Sequence, residues 1–93
     1  MKRRLLRSSA FVRTARRFLR RHPQSAEGIQ TALERLTEDA FDPRLRTHKL
    51  KGKLEDSWAC SAGFDLRIVF KFVSYEGAEA ILLESIGTHE DVY

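Results

Sequence analysis

From Ser57 onward the chain runs in two-residue steps. Phe64, Leu66, Ile68, Phe70 and Phe72 fall on one side of an extended segment, and Asp65, Arg67, Val69 and Lys71 on the other. Trp58, Cys60 and Ala62 alternate in the same way against Ser57, Ala59 and Ser61. Strands with one apolar face need a cover on that face, so this half of the chain predicts a sheet packed beneath another layer. Gly63 predicts a turn between the two runs and Glu76-Gly77 a second turn. A third strand is expected over residues 79–87, around Ala80-Ile81-Leu82-Leu83.

The cover comes from the first forty residues, where the apolar period becomes helical. Ser8 or Ser9 caps a helix ending near Arg21, with Phe11, Val12, Ala15, Phe18 and Leu19 on one face. Arg13, Arg16, Arg17, Arg20 and Arg21 form a guanidinium stripe on the opposite face. His22-Pro23 ends this helix, because proline disfavours helical geometry in the residue before it. Pro23 itself suits the first position of a second helix reaching Ala40, whose seam is Ile29, Leu33, Leu36 and Ala40. Asp42-Pro43 closes it. Lys2 to Arg7 reads as a short edge strand carrying Leu5 and Leu6. The expected architecture is α+β: residues 1–93 form a single domain, with an N-terminal two-helix hairpin packed on a small, mainly antiparallel sheet.

Charge is distributed in blocks. Residues 1–22 hold nine Lys/Arg and no acid, residues 23–42 one base and five acids, residues 43–53 five bases and no acid, and residues 54–93 two bases and eight acids. Two separate acid-free basic clusters point to a polyanion or an acidic protein as partner. For the helical arginine stripe alone, RNA, a merely solvated face and a protein partner are all open readings. No apolar run approaches the roughly 20 residues of a membrane span, and Arg13, Arg16 and Arg17 interrupt any signal-peptide core. The lone Cys60 has no partner within the chain for a disulfide, which fits a reducing cytoplasm, and it reads as a small core residue rather than a nucleophile.

Proton-transfer chemistry concentrates at the end of the chain. Gly87-Thr88-His89-Glu90-Asp91-Val92-Tyr93 follows the last strand and sets His89 four residues from Tyr93. If Thr88 opens one helical turn, with Asp91 as its capping partner, those two side chains face the same way. Imidazole gives and takes protons near neutrality, and an aromatic ring beside it can stack on a base. Upstream, His48-Lys49-Leu50-Lys51-Gly52-Lys53 precedes the first hairpin; in an extended segment Lys51 and Lys53 share a side. Asp65 either acts in proton transfer or pairs with Lys71 or Arg67, and Tyr93 either meets substrate or covers the edge of the core. His22, His48 and His89 have no chelating spacing, so no metal site is expected.

Four segments together, His48-Lys49-Leu50-Lys51-Gly52, Trp58-Ala59-Cys60-Ser61, Asp65-Leu66-Arg67-Ile68-Val69-Phe70 and the Gly87–Tyr93 tail, resemble the RelE/ParE toxin superfamily, above all its YafQ-like branch. The resemblance spans essentially the whole chain. It implies a RelE-like microbial RNase fold and a type II toxin that cleaves mRNA in the ribosomal A site and is neutralised by a cognate antitoxin. It further implies a toxin that is monomeric when free, works in the cytoplasm, has no membrane partner and needs no cofactor. Carried over by position, the catalytic group is His48, Asp65 and His89, joined by Arg67, which matches an arginine of RelE-type members. Tyr93 corresponds to the terminal aromatic. Two positions depart from the YafQ pattern: Ser61 stands where that branch has histidine, and Leu66 where it has tryptophan.

RNA cleavage of this kind sends a ribose 2′-hydroxyl onto the adjacent phosphate, giving a 2′,3′-cyclic phosphate and a 5′-hydroxyl. A base takes the 2′ proton, an acid protonates the leaving oxygen and cations stabilise the transition state. His89 is assigned to acid or base and His48 or Asp65 to the complementary step. Arg67, Lys51 and Lys53 are assigned to the phosphate, and Tyr93 to the nucleotide. The alternatives are a ParE-like toxin that inhibits DNA gyrase by binding, and a catalytically degenerate chain that binds only its antitoxin.

Overall fold

The sheet is built around its longest hairpin. In the computed structural model, which describes residues 2–52 and 56–92, the elements in chain order are β1 (Arg4–Arg7), α1 (Ser9–Arg21), a 3-10 turn (Pro23–Ser25), α2 (Ala26–Glu38), a second 3-10 turn (Pro43–Leu45), β2 (His48–Lys49), β3 (Trp58–Gly63), β4 (Leu66–Tyr75), β5 (Ala78–Thr88) and α3 (His89–Val92). β4 and β5 pair antiparallel along their whole lengths through the tight turn at Glu76-Gly77, where both residues have positive φ as a hairpin turn of this twist requires. The strand order is β1-β5-β4-β3-β2, and β1 runs parallel to β5 while the other pairs are antiparallel.

The apolar faces meet as expected. Phe11 of α1 and Ile29, Ala32 and Leu36 of α2 bury together with Cys60, Ile68, Phe70, Ile81 and Leu83 of the sheet, and Leu5, Ala15, Phe18, Leu19 and Leu33 pack around them. Ser8 caps α1, accepting from the Phe11 amide. Val12 is half-buried and stands outside this cluster. Pro23 differs from expectation: it opens a 3-10 turn, and α2 begins only at Ala26.

Phe64 departs from the strand pattern. By parity it belongs with Leu66 and Ile68 on the core face, yet its exposure is 103%. β3 ends at Gly63 and β4 starts at Leu66, so Phe64 and Asp65 form the turn, with Asp65 at φ 54°. Aspartate tolerates that left-handed conformation better than most residues.

Gly28 sets the distance between α2 and the sheet. A Cβ at this position would sit 2.7 Å from the carbonyl oxygen of Ala62 on β3, a backbone atom that cannot swing aside. Gly28→Ala should therefore destabilise the protein by about 1–3 kcal/mol, although alanine is the better helix former, because overpacking outweighs propensity. Denaturant melts of the two proteins test the sign.

The other face of the sheet is partly covered from within. Leu50 packs over Ala59 and Val69, and its amide extends the ladder by donating to the Ser57 carbonyl. Buried Ser57 donates through Oγ to Glu84 Oε1 at 2.5 Å, and Lys71 Nζ lies 3.4 Å from Glu84 Oε2. Glu84 reaches this network because the β4/β5 register shifts between Val69 and Phe70. The open part of this face is therefore displaced toward the β3–β4 turn.

Candidate functional site at the end of the open sheet face

Three of the sequence-selected residues meet where the β3–β4 turn, the end of β5 and α3 come together. Arg67 stands on the outward face of β4, opposite Ser61 of β3 and Gly87 of β5. Gly87 presents no side chain and is itself buried. Arg67 donates through Nη1 to the Leu66 carbonyl at 3.1 Å, and among the described residues no carboxylate forms an ion pair with it. His89 begins α3 two residues beyond Gly87, on the exposed surface, and its backbone amide donates to Asp65 Oδ1 at 3.2 Å. Strand spacing puts the Cα atoms of Arg67 and His89 about 8 Å apart, within joint reach of one phosphate.

Asp65 is thus tied to the start of α3, and neither Lys71 nor Arg67 pairs with it among the described residues. Lys71 is instead held by Glu84. The Asp65 carboxylate fixes the backbone that carries His89.

His48 lies on the same face by register, opposite Ala59, which is itself opposite Val69. Its Nδ1 is 3.0 Å from the Arg46 carbonyl. A carbonyl only accepts, so in the neutral ring the proton sits on Nδ1 and the lone pair on Nε2. Strand spacing places His48 about 12 Å from Arg67 and about 20 Å from His89, measured between Cα atoms. The two imidazoles are no hydrogen-bonded pair; they flank Arg67 from opposite sides.

Gly52 has φ 74°, which turns the chain after β2 and Lys51. Lys51 follows Leu50 and lines a shallow cleft with Lys49 and Asp56. Lys53 and Tyr93 lie outside the described residues. Ser61, at a position where the YafQ pattern has histidine, donates to the Gly63 carbonyl at 3.2 Å. Leu66, at the tryptophan position, is buried in the core. Cys60 is also buried, and burial pushes its thiol up to about 12, so it is no thiolate nucleophile at neutral pH. Among the described residues no cluster of His, Cys, Asp and Glu has the makings of a metal site.

One basic element near this site was not legible as part of it. β1 pairs with β5 only as far as Leu83, and α1 runs along the edge left free beyond. The Ser8 amide donates to the Leu83 carbonyl, and the Ile86 amide donates to Thr14 Oγ1 at 3.1 Å. Thr14 in turn donates to the Ala10 carbonyl, so its hydroxyl serves both helix and strand. Between the two elements is a cleft of about 460 Å³, lined by Arg17, Phe18, Arg21 and His22 of the α1 side and by Ser85–Thr88, the residues leading into His89. The arginine stripe was visible in the sequence, but its neighbour was not: only the edge pairing of α1 with β5 brings the two together.

No protein-family model matches the sequence, and no curated protein does. Solved structures do. The YafQ chain of the DinJ–YafQ toxin–antitoxin complex from E. coli superposes with a TM-score of 0.76 over 100% of this chain and 99% of its own, at 13% identity. A YoeB/ParE toxin from Agrobacterium tumefaciens gives 0.74 over 92% of this chain and 98% of its own, at 14% identity. A copper-bound mutant toxin from Helicobacter pylori gives 0.73 with both chains covered at 100%, at 19% identity. The chain has the RelE-like toxin fold.

Proposed function

We propose that this chain is the toxin of a type II toxin–antitoxin module and that it cleaves mRNA on the ribosome by metal-independent attack of a 2′-hydroxyl on its own phosphodiester. The convergence of Arg67, Asp65 and His89 at the uncovered end of the sheet, within a RelE-like fold, carries this reading. Arg67 offers a planar fork to the non-bridging phosphate oxygens, and with no acid among the described residues paired to it that charge is available to a dianionic transition state. His89 donates a proton to the leaving oxygen or removes the 2′ proton. His48, with its basic nitrogen at Nε2, serves the complementary step from the far side of the phosphate, and Asp65 orients His89. Lys51, Lys53 and Tyr93 belong to substrate binding. The work is cytoplasmic, where translating ribosomes are, and the free toxin is a monomer that its antitoxin captures in a hetero-oligomer.

The test is to induce the chain with and without its antitoxin and map mRNA 5′ ends. Cuts inside translated codons support the reading. DNA damage with intact mRNA would instead indicate a gyrase-binding toxin, and no growth effect a degenerate one.

Arg17 and Arg21 extend this site along the path of the RNA backbone. None of the ion pairs among the described residues involves an α1 arginine. Replacing both with alanine should weaken binding to ribosome-bound RNA without changing codon preference. The slope of log affinity against log salt should fall by about 1.4–1.8, the release of counterions from two phosphates. An unchanged slope assigns the cleft elsewhere.

A further inference from the structure

We infer that Phe64 is the platform on which a base of single-stranded RNA, next to the cleaved phosphate, stacks; this deepens the nuclease reading and rests on it. The ring is 103% exposed at the tip of the β3–β4 turn, although its place in the alternation would have put it in the core. It is the chain neighbour of Asp65, whose Oδ1 holds the His89 amide at 3.2 Å. Standard backbone dimensions then put the Phe64 Cα no more than about 11 Å from the His89 nitrogen, within the reach of one bound nucleotide.

Its surroundings select the ligand. A protein partner is recognised through a contiguous apolar patch. Among the described residues Phe64 has none: its neighbours along the chain and across the turn are Gly63, Asp65, Ser61 and Arg67, and the other exposed large apolar side chains are elsewhere. Phe41 packs against Trp58 and Phe72, and Tyr75 lies at the opposite end of β4, about 30 Å along the strand. An exposed flat ring next in the chain to Asp65, on the turn that the His89 amide joins, matches a nucleobase, whose faces are apolar and whose edges and phosphate are polar. Leu66 cannot supply such a ring, being aliphatic and buried. The aromatic surface is offered two residues earlier, on the turn.

The experiment compares the full chain with Phe64→Ala, Phe64→Leu and Phe64→Trp on mRNA-programmed ribosomes. The expected result is a loss of about tenfold in kcat/KM for both the alanine and leucine variants, carried mainly by KM. Phe64→Trp should retain or exceed the parent activity, and all four proteins should melt together. Full activity in Phe64→Leu would make the contact merely apolar and overturn the inference. So would unchanged cleavage by Phe64→Ala with weakened antitoxin binding, which would make the ring a protein anchor. A lowered melting temperature in the tryptophan and alanine variants would assign Phe64 a structural role, also against it. An active parent with a fully active Phe64→Ala defeats this inference alone; a parent that cuts nothing defeats the nuclease reading with it.

Discussion

Replacing His89 with alanine should lower mRNA cleavage by about 10²–10⁴-fold, the usual span for a lost proton-transfer group, and relieve growth arrest on induction. The protein should remain folded and keep its affinity for the antitoxin. That separation follows from how His89 is held. The bond to Asp65 uses the backbone amide of His89, and alanine keeps that amide, so the link between α3 and the β3–β4 turn is preserved. The ring itself is on the exposed surface, where truncation typically changes stability by no more than about 0.5 kcal/mol. His89→Gln sharpens the result, because glutamine retains hydrogen bonding but transfers no proton at neutral pH. Parent-level toxicity from His89→Ala would remove proton transfer from this position, whatever the thermal melts show.

Asp65 separates orientation from chemistry in the same assay. Asparagine keeps an oxygen that accepts from the His89 amide, whereas alanine does not. If Asp65 only orients the terminal turn, Asp65→Asn should cleave close to the parent rate and Asp65→Ala should not.

The fold was legible because its signals are local and mutually consistent. The two-residue alternation of β3 and β4, the serine cap of α1 and the Glu76-Gly77 turn each report on a few neighbouring residues, and all agree with one layer packed on another. Phe64 misled for the opposite reason: alternation describes an extended chain, and the positive φ of Asp65 ends that extension one residue later. Pro23 fitted either an α-helical first position or a 3-10 turn, since its fixed φ suits both. Pairings distant in sequence were out of reach. Nothing local says that Lys71 is committed to Glu84, because that depends on a bulge in β5. Likewise, that Arg17 and Arg21 approach Thr88 depends on β1 stopping at Leu83 and leaving an edge for α1. For the site, residue types were read from the sequence and their grouping from the sheet register, which sets Arg67 between the two histidines.

Arg67→Ala should reduce cleavage by about 10²–10³-fold, the range seen when a preorganised donor is removed from a developing oxyanion. Arg67→Lys is the more discriminating change. Lysine restores the charge but supplies a single ammonium in place of a planar fork. If Arg67 acts only through the field at the phosphate, lysine should recover most of the lost rate. If the two parallel N–H donors matter, lysine should stay closer to alanine than to arginine. Geometry favours the second outcome. Arg67 already spends Nη1 on the Leu66 carbonyl, which restrains the guanidinium, and an ammonium on a flexible stem has no such anchor. Stability should hardly respond, because no carboxylate among the described residues is left unpaired when the cation goes. Single-turnover cleavage on programmed ribosomes, with melts of the three proteins, decides between field and fork. A rate for Arg67→Ala equal to that of the parent would move the phosphate away from the centre of this face and leave the two imidazoles without a common substrate atom.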